Sequence, residues 1–115
     1  MTARKLTPTT LSLRKLVNSG WTVDICERQI GNFKKDLFGF ADLIAFAGNR
    51  IILIQATDYS NSSARVRKIH GKTEARLWLA GYSREIQVWA WKYDSDDQPI
   101  RKIIPVTLDD RDWAT

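Results

Sequence analysis

Apolar residues recur along this chain at different spacings, and each spacing predicts an element. Leu13, Leu16 and Val17 follow helical spacing behind Thr7-Pro8, which reads as an N-cap and a first-turn proline. Gly20 suits the position just past a helix end, so a first helix spans roughly residues 8–19. Trp21 to Arg28 then alternates, with Trp21, Val23 and Ile25 on one side and Thr22, Asp24 and Cys26 on the other, the pattern of a strand. Gln29 to Phe38 is polar, carries Gly and Lys, and reads as a loop. Two apolar runs follow, Phe40–Phe46 and Ile51–Thr57, joined by a segment in which Gly48-Asn49 fits a two-residue hairpin turn.

The segment from about Ser62 to Ala80 reads as one helix, with Val66, Ile69, Thr73, Leu77 and Ala80 as its inner stripe and Gly81 as its end. Glu85 to Tyr93 alternates again, Ile86, Val88 and Ala90 against Gln87, Trp89 and Trp91. A turn over residues 94–99 leads to Ile100–Val106, an expected edge strand because Pro105 cannot donate to a ladder. The order α, β, β, β, α, β with one further strand predicts an α/β fold, a mixed sheet flanked by two helices.

The hairpin can be read by arithmetic. With Gly48-Asn49 as the turn, Phe46 faces Ile51, Ile44 faces Leu53 and Asp42 faces Gln55. Side chains on one face recur every second residue, so Asp42, Gln55 and Thr57 share a face at one end of an apolar hairpin. An Asp among Phe40, Ala41, Leu43 and Ile44 is costly to bury unless it is paired or metal-bound. One reading is a strand-end Asp hydrogen-bonded to Gln55. The other is a site for a hard cation such as Mg²⁺, which takes carboxylate, carbonyl, phosphate and water oxygens.

The 115 residues suit a single domain, with a core over about 8–93 and an extra strand and acidic tail over 94–115. Net charge is +5, unevenly spread: residues 1–93 hold 15 Lys and Arg against 7 Asp and Glu, and residues 94–115 hold 3 against 6. A basic body favours a polyanionic partner such as DNA, though a merely soluble basic protein would look the same. No apolar run is long enough to span a membrane, no secretory leader is visible, and Cys26 is the single cysteine. Together these lead us to expect a cytoplasmic protein without a cysteine-rich zinc site.

Asp42, thirteen residues before Gln55-Ala56-Thr57 on a hairpin flanked by helices, resembles the PD-(D/E)XK nuclease superfamily. The stretches Asp36-Leu-Phe-Gly-Phe-Ala-Asp42, Ile52-Leu-Ile-Gln-Ala-Thr57 and Ser63-Ala-Arg-Val-Arg-Lys-Ile69 look like small phage-type and Holliday-junction-resolvase-like members. The resemblance implies a restriction-endonuclease-like αβββαβ core and Mg²⁺- or Mn²⁺-dependent hydrolysis of DNA, with branched DNA as one substrate class and a homodimer as one assembly. It implies Asp42 as a metal ligand, with Gln55 and the Ala56 carbonyl beside it. Gln55 stands where the superfamily has an acid, and Thr57 where it has a lysine. The family also draws an acid from the first helix; that helix has none here, which makes Glu27 the preferred further ligand and Asp36 a weaker one.

A substitute for the missing lysine is sought on the second helix. At about 100° per residue, Arg65, Lys68, Lys72 and Arg76 form one basic stripe, and Lys68 or Arg65 is placed to stabilise charge at the site. A solvated charged face would carry the same stripe. With Lys34 and Lys35 these residues form the expected DNA footprint. Gly39 would let backbone approach a phosphate or metal. Asp58 is read as a helix cap or site neighbour, His70 as core or surface, and Trp78, Trp89 and Trp91 as core or dimer surface. Two rival functions remain: a degenerate nuclease fold that grips DNA without cutting it, and a protein-binding subunit using the Trp-rich strand.

Overall fold

The computed structural model describes residues 5–110 and residue 113; Arg111 and Asp112 of the acidic tail lie outside the described residues. Helix α1 spans Pro8–Asn18, and the Thr7 side chain caps it by accepting from the Thr10 amide. Gly20 follows with a positive φ of 89°, as a residue just past a helix end requires. Strand β1 is Thr22–Ile25. Two short strands, β2 (Arg28–Ile30) and β3 (Phe33–Lys35), form a separate two-stranded sheet. Then come β4 (Leu43–Ala47), β5 (Arg50–Asp58), α2 (Ser62–His70), α3 (Thr73–Leu79), β6 (Arg84–Tyr93) and β7 (Pro99–Val106).

The main sheet has five strands in the order β1-β4-β5-β6-β7. It is mixed: β5 and β6 are parallel, joined across α2 and α3, and every other pair is antiparallel. The fold is therefore α/β, with β7 at the edge as Pro105 requires. The β4–β5 register pairs Phe46 with Ile51 and Ile44 with Leu53, as the Gly48-Asn49 turn predicts, and Gly48 has the positive φ such a turn needs.

Strand alternation splits the core in two. On one face Leu43, Ala45, Ile52, Ile54, Trp89 and Trp91 pack against Leu11 and Leu16 of α1. On the other, Leu53, Ile86 and Val88 pack against Ile69 of α2, Ala75 of α3 and Phe40. Trp89 and Trp91 are thus core residues, and the Trp91 indole N–H donates to the Ser12 hydroxyl at 2.8 Å. Gln55 and Thr57 continue the face of Leu53, toward α2. No helix among the described residues is long and apolar enough to cross a membrane.

Several expectations are corrected. The strand read over Trp21–Arg28 stops at Ile25, whose side chain is half exposed rather than buried, because β1 is a sheet edge. The polar segment read as a loop over Gln29–Phe38 contains the β2–β3 hairpin. The single helix read over 62–80 is two: Gly71 ends α2, and Lys72 is extended, with φ −102° and ψ 119°. That break turns α3, so Ala75 faces the core while Leu77, expected inside, is 66% exposed. It also divides the basic stripe: Arg65 and Lys68 belong to α2, Lys72 to the break and Arg76 to α3.

Candidate metal centre

Asp42 sits where three strands meet. Its carbonyl accepts from the Cys26 amide at 2.7 Å, just beyond β1, and its own amide donates to the Ile54 carbonyl of β5 at 2.9 Å. These two bonds fix the backbone, and the side chain lies against the end of β5, 6% exposed. Its Oδ2 accepts from Gln55 Nε2 at 2.8 Å and from the Ala56 amide at 2.7 Å. The cross-strand meeting of Asp42 and Gln55 expected from the turn is therefore present. Ala56 touches Asp42 through its amide; the expected role of its carbonyl is not visible in this contact.

Two more carboxylates converge on Asp42. Glu27 and Asp36 each bring an oxygen within 4.8 Å of an Asp42 oxygen and of each other. The β2–β3 hairpin is what unites them. Its register pairs Arg28 with Lys35, so Glu27 and Asp36 occupy the next positions at its base. Nine residues apart in sequence, they leave and re-enter the body at the same point. Asp36, the weaker candidate in the sequence, reaches the cluster through this hairpin, which lies in a segment whose polarity predicts a loop. Gly31-Asn32, the same kind of signal as Gly48-Asn49, was the clue to the hairpin; Gly31 has a φ of +58°.

The electrostatics are those of crowded anions. Burial pushes the Asp42 carboxyl up to about 7; the Ala56 amide opposes this, while the charge of Asp36, a hydrogen bond with Asp36 and the charge of Glu27 add to it. The Cys26 thiol is pushed up too, by burial first and then by Asp24, Asp42 and Asp36. Lysines partly offset the charge. Lys34 Nζ lies 3.4 Å from Glu27 Oε1, and Lys68 Nζ of α2 lies 3.9 Å from Asp36 Oδ2. Lys72 Nζ crosses Gly39, where an added Cβ would come within 2.9 Å of it, so Gly39 makes room for a lysine.

This donor set fits a hard divalent cation. Octahedral Mg²⁺ with oxygens at roughly 2.0–2.1 Å places its ligands about 3–4 Å apart, close to the spread of Glu27, Asp36 and Asp42. Gln55 Oε1 is buried and has no hydrogen-bond partner among the described residues, because its Nε2 is committed to Asp42. Such an atom costs free energy until something binds it.

The other expected site residues are dispersed. Thr57 is buried on the Gln55 face and brings no charge. Arg65 is one turn from Lys68 on α2, with its Nε buried, and Arg76 is exposed on α3. Lys35 and Lys72 line a groove of about 750 Å³ with Arg28, Asp36 and Phe38. Asp58 caps the turn before α2, accepting from the Asn61 amide at 3.1 Å. His70 is buried at the end of α2 with its Nε2 2.9 Å from Asp110, away from the cluster. No family model, curated protein or solved structure matches this chain.

Proposed function

We propose that this protein is a metal-dependent DNA endonuclease with a restriction-endonuclease-like core. The observation that carries the reading is the convergence of Glu27 and Asp36 on Asp42 at the end of the β4–β5 hairpin, rimmed by lysines from three segments. Burial first, and then the neighbouring Asp36 and Glu27, raise the Asp42 pKa; a divalent cation removes the cost of holding these carboxylates charged together. Lysines around acids are what a site needs to hold a polyanion over a cation.

Glu27, Asp36 and Asp42 would hold Mg²⁺ or Mn²⁺, with Gln55 Oε1 as a neutral oxygen nearby. When bound, the metal supplies an acidified water and charge neutralisation at the phosphate. The chain's own residues do the rest. The Ala56 amide and Gln55 Nε2 fix the Asp42 carboxylate through one oxygen. Lys68, near Asp36, takes the electrostatic part of the missing motif lysine. Lys34, paired with Glu27 at 3.4 Å, would hold a non-bridging phosphate oxygen. Hydrolysis forms one P–O bond to water oxygen and breaks one P–O ester bond; the water's proton ends on the departing alcohol. The expected DNA substrate and the absence of other cysteines fit a cytoplasmic role, and a homodimer would present two such sites to two strands.

A second reading keeps the fold and DNA binding without cleavage. Gln55 and Thr57 favour it, since neither supplies the charge of the family's acid and lysine. Incubation with labelled linear, flapped and four-way DNA, in Mg²⁺, Mn²⁺ or EDTA, separates the two. We expect cleavage with either metal and none in EDTA; binding with no cleavage in any metal would establish the second reading.

A further inference from the structure

The β2–β3 hairpin has a property the metal site alone does not use. It pairs with no strand of the main sheet, and every residue from 28 to 35 is exposed. Its tip pairs Ile30 with Phe33, and these are 51% and 77% exposed. A lone exposed apolar side chain is ordinary, but an Ile–Phe pair at the end of a free hairpin has no core to serve. Directly opposed residues point to the same side of a two-stranded ribbon. Arg28, Ile30, Phe33 and Lys35 therefore share one face, and Gln29 and Lys34 the other. The segment has three cations, on both faces, and no acid.

We propose that this hairpin is a nucleic-acid wedge: Phe33 and Ile30 insert between bases, Lys34 holds one phosphodiester backbone and Arg28 and Lys35 the other. This rests on the nuclease reading and deepens it, because Glu27 and Asp36 form the base of the wedge, so a strand parted at the tip arrives at the carboxylates. The reach is adequate. Three residues of strand rise about 10 Å, comparable with the ~8.5 Å depth of the DNA major groove. Apolar side chains that part a base step are an established way to deform DNA. A second protein copy is the poorer occupant, since two side chains bury far less than the roughly 800 Å² per partner of a stable interface, and like-charged hairpins repel.

The test uses the full chain in EDTA, so that binding is read without cleavage. Forked and linear duplexes carry 2-aminopurine at the fork or at the matching position. For the wild type we expect a fluorescence change at the fork on binding. The double variant Ile30→Ser, Phe33→Ser should lose that change and about tenfold in fork affinity, while linear duplex affinity stays within about twofold, since phosphate contacts remain. Phe33→Trp should keep the signal, which shows that the hairpin tolerates substitution. Equal losses on both DNAs, no loss on either, or a change in sedimenting mass that makes the tip a contact between copies would each overturn the proposal. A wild type that parts the fork yet cuts nothing with metal leaves the wedge standing and removes the nuclease reading. Metal-dependent cutting of forked and linear DNA that is unchanged in the double variant does the reverse.

Discussion

Asp42→Asn is expected to abolish metal-dependent cleavage and, in the same protein, to raise the thermal midpoint without metal. The first effect follows from losing the central anionic ligand; a drop of about a thousandfold or more corresponds to roughly 4 kcal/mol of barrier, well within what a catalytic metal supplies. The second follows from the hydrogen bonds. An Asn amide oxygen can accept from Ala56 and Gln55 as Oδ2 does now, and its NH₂ group then faces Glu27 and Asp36 as a donor. Repulsion becomes attraction. The pH dependence supplies a check. The Asp42 carboxyl is raised in the folded state from an ordinary 3.8 to about 7, so the folded protein binds more protons over that interval. The stability tied to that proton is fully present below about 3.8 and is lost as pH rises through about 7. The wild type without metal should therefore melt higher at pH 6 than at pH 8, and Asp42→Asn should lose most of that slope. At pH 8 the variant should melt higher by on the order of 5 °C, about 1 kcal/mol for a domain of this size. A variant that melts lower at pH 8 would mean that the Asp42 charge is stabilising as it stands.

Gln55→Glu should have the opposite signature. It restores the acid that the family pattern expects, but it replaces a donor at 2.8 Å from Asp42 Oδ2 with a second carboxylate. Two charges about 4 Å apart at an effective dielectric near 20 repel by roughly 4 kcal/mol, and a raised pKa relieves part of this. Without metal the variant should lose about 2–4 kcal/mol and melt roughly 10 °C or more below the wild type. With Mg²⁺ or Mn²⁺ the added carboxylate becomes a ligand, so metal-dependent stabilisation should exceed that of the wild type. Thermal melts of both proteins across a metal titration measure this. Equal metal response in the two would detach Gln55 from the metal site.

The parts legible in the sequence were those set by local chemistry. Thr7-Pro8 and Gly20 bounded α1, and Gly48-Asn49 fixed the β4–β5 register and with it the meeting of Asp42 and Gln55. A two-residue turn leaves one register, and the apolar run on either side enforces it. What was missed lacked a burial pattern. The β2–β3 strands are short and solvated on both faces, so no alternation betrays them, and Asp36 could not be brought to Glu27 without them. The break at Gly71-Lys72 was hidden because apolar residues continue at helical spacing through it; only the tertiary turn puts Ala75 inside and Leu77 outside. Trp89 and Trp91, whose pattern left core and dimer surface both open, are core, because β6, paired with parallel β5 and covered on both faces, buries both halves of its alternation.

The central claim is that Glu27, Asp36 and Asp42 together hold one divalent cation, and Mn²⁺ titration of the metal-free protein tests it most directly. Free Mn²⁺ is read by electron paramagnetic resonance, beside Asp42→Asn, Asp36→Asn and Glu27→Gln, with Asp24→Asn as a nearby acid outside the cluster. The account predicts one saturable site with Kd below about 1 mM, abolished by Asp42→Asn, weakened by Asp36→Asn and Glu27→Gln, and unchanged by Asp24→Asn. No saturable binding to the wild type, or equal binding to Asp42→Asn, would contradict it.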